Sequence, residues 1–111
     1  MEATAPLDAA VPVFEISQLE RSPIPRFQAR PVYPFALRRA GVSGGALVDF
    51  VVDVDGNVRN AYPVGQSLPE FGAAAVDAVV RWKFTPGIKD GHPVNTHMQV
   101  PVNFSIGLNG G

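Results

Sequence analysis

The residues of this chain that could do chemistry are few: His92 and His97, the aspartates Asp49 and Asp53, a turn Asp53-Val54-Asp55-Gly56-Asn57, and Ser17, Ser22, Ser43, Ser67 and Ser105. A zinc site needs three or four ligands converging on one point. Two histidines five apart across a turn, with no cysteine and no carboxylate pair beside them, do not supply one. A calcium loop places oxygen ligands at alternate positions and closes on a glutamate. The aspartate turn lacks the further acidic ligands and the closing Glu, so a hairpin turn explains it better. None of the serines stands in a nucleophile elbow, and the run Gly41 to Gly45 lacks the lysine and spacing of a phosphate loop. Asp49 and Asp53, on one face of a strand with no His, Lys or third carboxylate nearby in sequence, read as a solvated face. Neither a catalytic residue nor a metal or cofactor site is expected, and the chain reads as a binding module.

The elements that would carry such a module are legible in the rest of the sequence. At 111 residues there is room for one core. With 46% hydrophobic and 17% charged residues the chain can fill that core and is not a disordered type. A net charge of -1, with Lys and Arg scattered, lacks the basic stripe of a nucleic-acid binder. The absence of cysteine excludes thiol chemistry and disulfides. No apolar run reaches the length of a membrane helix.

Residues 1–30, punctuated by Pro6, Pro12, Pro23 and Pro25, read as an extended Pro-rich linker, with a domain expected over 31–107 and a flexible tail over 108–111. The apolar patch Val11, Val13, Phe14 and Ile16 could dock on the domain, but a spacer is the preferred reading. Tyr33-Pro34 opens a short helix through Phe35, Leu37 and Ala40 to Gly41. From Ala46 to Asp55 the pattern alternates, which places Val48, Phe50, Val52 and Val54 on one face of a first strand. Asp55-Gly56-Asn57 turns it into a second, Val58 to Val64. Ser67 and Glu70 have capping-box spacing at the start of a second helix, whose stripe runs through Phe71, Ala74, Ala75, Ala78, Val79 and Trp82. A third strand, Thr96 to Ile106, alternates again. The expected core is Val48, Phe50, Val52, Phe71, Ala75, Ala78, Trp82 and Phe84.

Proline lacks the N–H that a ladder requires and is confined to sheet edges. Pro63 and Pro101 therefore put the second and third strands outside and the first in the middle. The expected fold is α+β: a three-stranded antiparallel sheet in order 2-1-3 with two helices packed on one face, preceded by the extended Pro-rich segment. In an antiparallel strand the backbone groups of alternate residues point to opposite sides, so Pro101 marks His97, Gln99, Asn103 and Ser105 as outward. Such a row either serves only as an edge blunted by Pro101, or accepts an extended peptide as an added strand. A few backbone bonds of modest net worth, set against the entropy of association, predict weak and reversible capture.

Five successive segments resemble a known family. Pro31-Val32-Tyr33-Pro34, Gly45 through Asp53, Asp55-Gly56-Asn57-Val58, Val80-Arg81-Trp82-Lys83-Phe84-Thr85-Pro86-Gly87 and Val100-Pro101-Val102-Asn103-Phe104 look like the signatures of a TonB C-terminal domain, over about Leu19 to Gly107. The resemblance implies a periplasmic domain of an inner-membrane-anchored energy transducer. Its partners would be an ExbB/ExbD-type motor at the anchor and the TonB box of outer-membrane receptors for siderophores, vitamins or other nutrients. It carries partner contacts over to Arg30, Pro31, Val32, Tyr33 and Pro34, and a binding strand to His97, Gln99, Val100, Pro101, Val102, Asn103, Phe104 and Ser105.

A different class stays open: a TonB-like sensory or interaction domain of a larger signalling or protease membrane protein. An enzyme with an unrecognised site is the weakest reading. Self-association through the free edges is also left open.

Overall fold

The computed structural model describes residues 11–106. The elements run β1 (Val13–Glu15), a 3-10 turn (Ile16–Gln18), β2 (Ile24–Phe27), α1 (Phe35–Arg39), β3 (Gly44–Val52), β4 (Val58–Gln66), α2 (Pro69–Val79), β5 (Lys83–Thr85), β6 (Gly87–Lys89) and β7 (His92–Phe104). The first ten residues and the expected tail at 108–111 lie outside the described residues.

Alternation in β3 and β7 sorts side chains between two sheet faces. Val48, Phe50, Val52, Phe71, Ala75 and Ala78 are fully buried, and Trp82, Phe84, Val102 and Phe104 nearly so. Removing side chains of this size from water contributes about 1.5–3 kcal/mol each. Aromatic rings join the two ends of this core. Phe71 stacks on Phe104 with centroids 4.9 Å apart, and Phe50 meets Trp82 edge-on at 6.5 Å.

The β3–β4 turn is organised by Asp53, which is buried rather than solvated as its strand position suggests. Its Oδ1 accepts the N–H groups of Asp55 and Asn57, both at 2.9 Å, and its Oδ2 pairs with Arg59 at 2.9 Å. Gly56 takes φ of 85°, and a Cβ there would lie 1.9 Å from the Phe84 carbonyl oxygen. Only glycine lets the turn lie this close to the chain after α2. Ser67 does not cap α2. Leu68 holds the N-cap position without a side-chain bond, while the Ser67 hydroxyl accepts the Gly45 N–H at 3.0 Å and ties the start of β3 instead.

The sheet corrects the expectation of three antiparallel strands in order 2-1-3. It has five strands along the path β1-β7-β3-β4, with β6 also paired to β7, and it is mixed because β1 runs parallel to β7. The extra strands, three residues each, are too short to show a period. A second small sheet joins β2 to β5. Both expected helices are present, and they contribute unequally to the core. α2 packs over β3 and β4, whereas α1 has no buried residue and adds only the half-buried Leu37 to the margin of the core.

The described part of the proline-rich segment, from Pro12 to Ala29, is built onto the domain. β1 pairs with Asn95–His97, the Glu20 N–H donates to the Ile88 carbonyl at 2.8 Å, and the Trp82 indole N–H donates to the Ala29 carbonyl at 2.9 Å. Proline obscures this in the sequence. Pro25 lies inside β2, an edge position where its missing N–H costs nothing.

Candidate partner-binding edge

β7 is thirteen residues long and only part of its outer side is occupied. Toward β3 it is paired from Thr96 to Phe104, with Leu47 opposite Pro101 and Gly45 opposite Asn103. Proline cannot donate to that ladder, so odd-numbered residues of β7 direct their backbone groups away from β3. β1 takes this outer side at Asn95 to His97. Beyond it, no strand among the described residues pairs with the outward groups of Gln99, Pro101 and Asn103.

The proposed binding strand therefore divides. The expectation that His97 offers free outward groups is corrected, because Glu15 of β1 lies opposite it. Gln99, Pro101, Asn103 and Ser105 are exposed along the open part. Val102 and Phe104 face the core and are buried, and Val100 is half-buried and packed against it; of the three only Phe104 borders the hollow at the end of the strand.

At the open end of β7 the structure brings the other candidates together. Arg30, Pro31, Tyr33, Arg38, Asn103, Phe104 and Ser105 line a hollow of about 390 Å³. Tyr33 is its fixed point. Its hydroxyl donates to the Val42 carbonyl, and its ring sits edge-on to Phe71 and Phe104 at 5.9 and 5.5 Å. The Arg38 guanidinium lies over that ring, 5.9 Å from the centroid. Arg38 escaped the sequence reading because it sits on α1, a helix turn beyond the Pro-Val-Tyr-Pro segment. Pro34 is half-buried as the N-cap of α1, and Val32 is exposed beside the hollow without lining it. Two cations and a fixed aromatic at the end of an open strand edge can hold an extended peptide and favour an anionic group on it.

At the opposite end of the edge lies a polar cluster that the sequence reading dispersed. His97 Nε2 is 2.6 Å from Asp49 Oδ1, and its Nδ1 is 3.1 and 3.2 Å from the two Glu15 oxygens. Asp49, nine-tenths buried, also accepts from the Gln99 side-chain amide at 3.1 Å. The bond to Glu15, then that to Asp49, raises the His97 pKa above its ordinary value, against a smaller lowering by partial burial. Asp49 likewise raises Tyr62, mainly through its charge. Among the described residues no group of histidine, cysteine and carboxylate side chains is arranged to hold a metal.

Comparison with known proteins supplies the remaining observation. Residues 29–106 match the family model described as Gram-negative bacterial TonB protein C-terminal. The chain is 31% identical over 80 residues to the protein TonB of Vibrio cholerae, covering 71% of this chain and 33% of that one. It is 38% identical over 77 residues to the protein TonB of Xanthomonas campestris, covering 68% and 34%. The chain thus spans about a third of the length of these relatives. Its fold is similar to the solution structure of the Pseudomonas aeruginosa TonB C-terminal domain, with a TM-score of 0.67 at 22% identity, over 83% of this chain and 92% of that one.

Proposed function

This chain belongs to the family of Gram-negative bacterial TonB C-terminal domains, and from that premise we propose that it is the periplasmic, non-enzymatic partner-binding domain of a TonB-type energy transducer. It captures the TonB box of outer-membrane receptors as a strand added to β7 and passes on work from an ExbB/ExbD-type motor at an inner-membrane anchor. The cargo is a siderophore, vitamin or other nutrient. The observation that carries the reading is the open outer side of β7 from Gln99, ending beside the Arg30–Tyr33–Arg38 hollow.

The strength of capture follows from the edge. Gln99 and Asn103 each offer an N–H and a C=O, and Pro101 a C=O alone. Five bonds of about 0.5–1.5 kcal/mol stand against an association cost of about 4–15 kcal/mol. Binding is weak and reversible unless side chains add to it, and the hollow is placed to do so. Titrating isotope-labelled domain with TonB-box peptides from receptors of the same genome tests this. Shifts at Gln99–Ser105 and at Arg30–Pro34 are expected. Shifts confined to residues 12–29, with β7 silent beyond His97, would refute the proposal.

A further inference from the structure

We infer that β1 is a releasable strap, fastened to the edge of β7 by the Glu15–His97–Asp49 bridge, and that loss of the His97 proton lets it go. Its departure hands the outward backbone groups of Asn95 and His97 to a partner strand. The partner half of this inference rests on the edge-capture reading, while the strap half does not.

The geometry of the ring carries the argument. Both nitrogens of His97 face carboxylates, Nδ1 toward Glu15 at 3.1 Å and Nε2 toward Asp49 at 2.6 Å. A neutral imidazole has one N–H and one lone pair, so one of the two contacts would set a lone pair against an anion. Only the imidazolium donates on both sides. The other groups around it leave this dependence intact. On β7, Gln99 is uncharged and donates to Asp49. On β4, Tyr62 lies opposite Asp49 and, with its pKa raised, stays neutral. Arg59 sits across Val51 from His97, with its Nε on Asp53. From β6, Lys89 reaches over the Phe14 ring, 5.7 Å from its centroid.

Among the described residues the other ties of the strap are few. It pairs over three residues, Asn95 Nδ2 donates to the Pro12 carbonyl at 3.2 Å, and Phe14 is half-buried. Short pairings with few buried contacts open locally before the rest of a domain. Downstream the chain is fastened again. The Glu20 carboxylate accepts the N–H groups of Asp90 and Gly91 at 2.8 and 3.2 Å, so release stops short of it. Because the folded pKa of His97 is raised, the latch is fully present below about pH 6.5 and is lost as pH rises through the higher folded value.

Hydrogen exchange of the whole chain between about pH 5.5 and 8.5, read as protection factors against the central Phe50 amide, tests the strap. Protection at Phe14 and His97 should fall about fivefold with rising pH, the scale of a strong exposed ion pair. In Glu15→Gln, where the exposed side chain keeps an amide oxygen for the Gln18 N–H that it caps, that pH dependence should vanish and the His97 ring should titrate lower. PH-independent protection in the unmodified chain, or an undiminished pH dependence in Glu15→Gln, would overturn the latch. A TonB-box peptide should shift Asn95 and His97 at the alkaline end and stop at Gln99 at the acid end. A peptide that leaves β7 silent at every pH while the strap still titrates would sink the hand-over and the edge-capture reading, and leave the latch standing.

Discussion

Replacing Asn103 by proline separates the two sides of β7 and measures what its outer side is worth. Asn103 lies opposite Gly45 at a position whose backbone groups point away from β3, so the substitution removes an N–H that the fold does not use. The residue before it, Val102, is already in a strand, the conformation that a following proline requires. The fold should therefore survive. An added strand loses one of five bonds, about 0.5–1.5 kcal/mol, and Kd for a receptor peptide should rise at least about two- to tenfold. The proline ring also stands where the neighbouring strand would lie, which pushes the effect upward. Val102→Pro is the control, because its N–H serves the ladder to Ala46 and its loss should disrupt the sheet. Calorimetric titration of both variants, beside urea unfolding, gives the readout. An Asn103→Pro domain that unfolds like Val102→Pro would refute the assignment of sides; one that stays folded and binds with unchanged Kd would show that the peptide does not pair there.

Other expectations concern the frame. Trp82→Phe removes the indole bond to Ala29 and should lower stability by about 1 kcal/mol, while Trp82→Ala should cost about 3–5 kcal/mol; urea midpoints check both, and equal costs would show that the bond to Ala29 carries the whole effect. Gly56→Ala should cost about 2 kcal/mol or more, since it adds a steric clash with the Phe84 carbonyl to a left-handed backbone. Gly91→Ala, with φ of 77° and nothing within 4 Å of the added carbon, should bear only the left-handed penalty of about 1–2 kcal/mol. Thermal melts of the pair decide whether the close approach at Gly56 matters beyond its dihedral angles.

Much of this frame is written in local pattern and some of it is not. Alternation from Ala46 onward and from Thr96 onward marks β3 and β7, because a long half-buried strand must repeat at period two. The apolar stripe from Phe71 marks α2 in the same way. Three-residue strands such as β1, β5 and β6 carry no period, and their pairing depends on where the rest of the chain has already placed an edge. The Ser67–Glu70 spacing misleads because a hydroxyl goes to the nearest unsatisfied N–H, and Gly45 presents one. Asp49, His97 and Glu15 are far apart in sequence and meet only through the registers of β3 with β7 and β1 with β7. Local pattern therefore puts Asp49 on a solvated face and His97 on the outward side of its strand, and gives no sign of Glu15. Arg38 joins the Arg30 hollow for a similar reason, through the turn of α1.

The parallel sense of β1 has a mechanical consequence. It places Pro12 toward the end of β7 remote from Gln99 and Asn103, so tension between the upstream chain and a partner gripping those residues runs lengthwise along β7. The rungs between β1 and β7 then share the load together instead of parting one after another like a zipper. Were they to yield, the turn at 16–18 would lengthen before strain reached the Glu20 fastening.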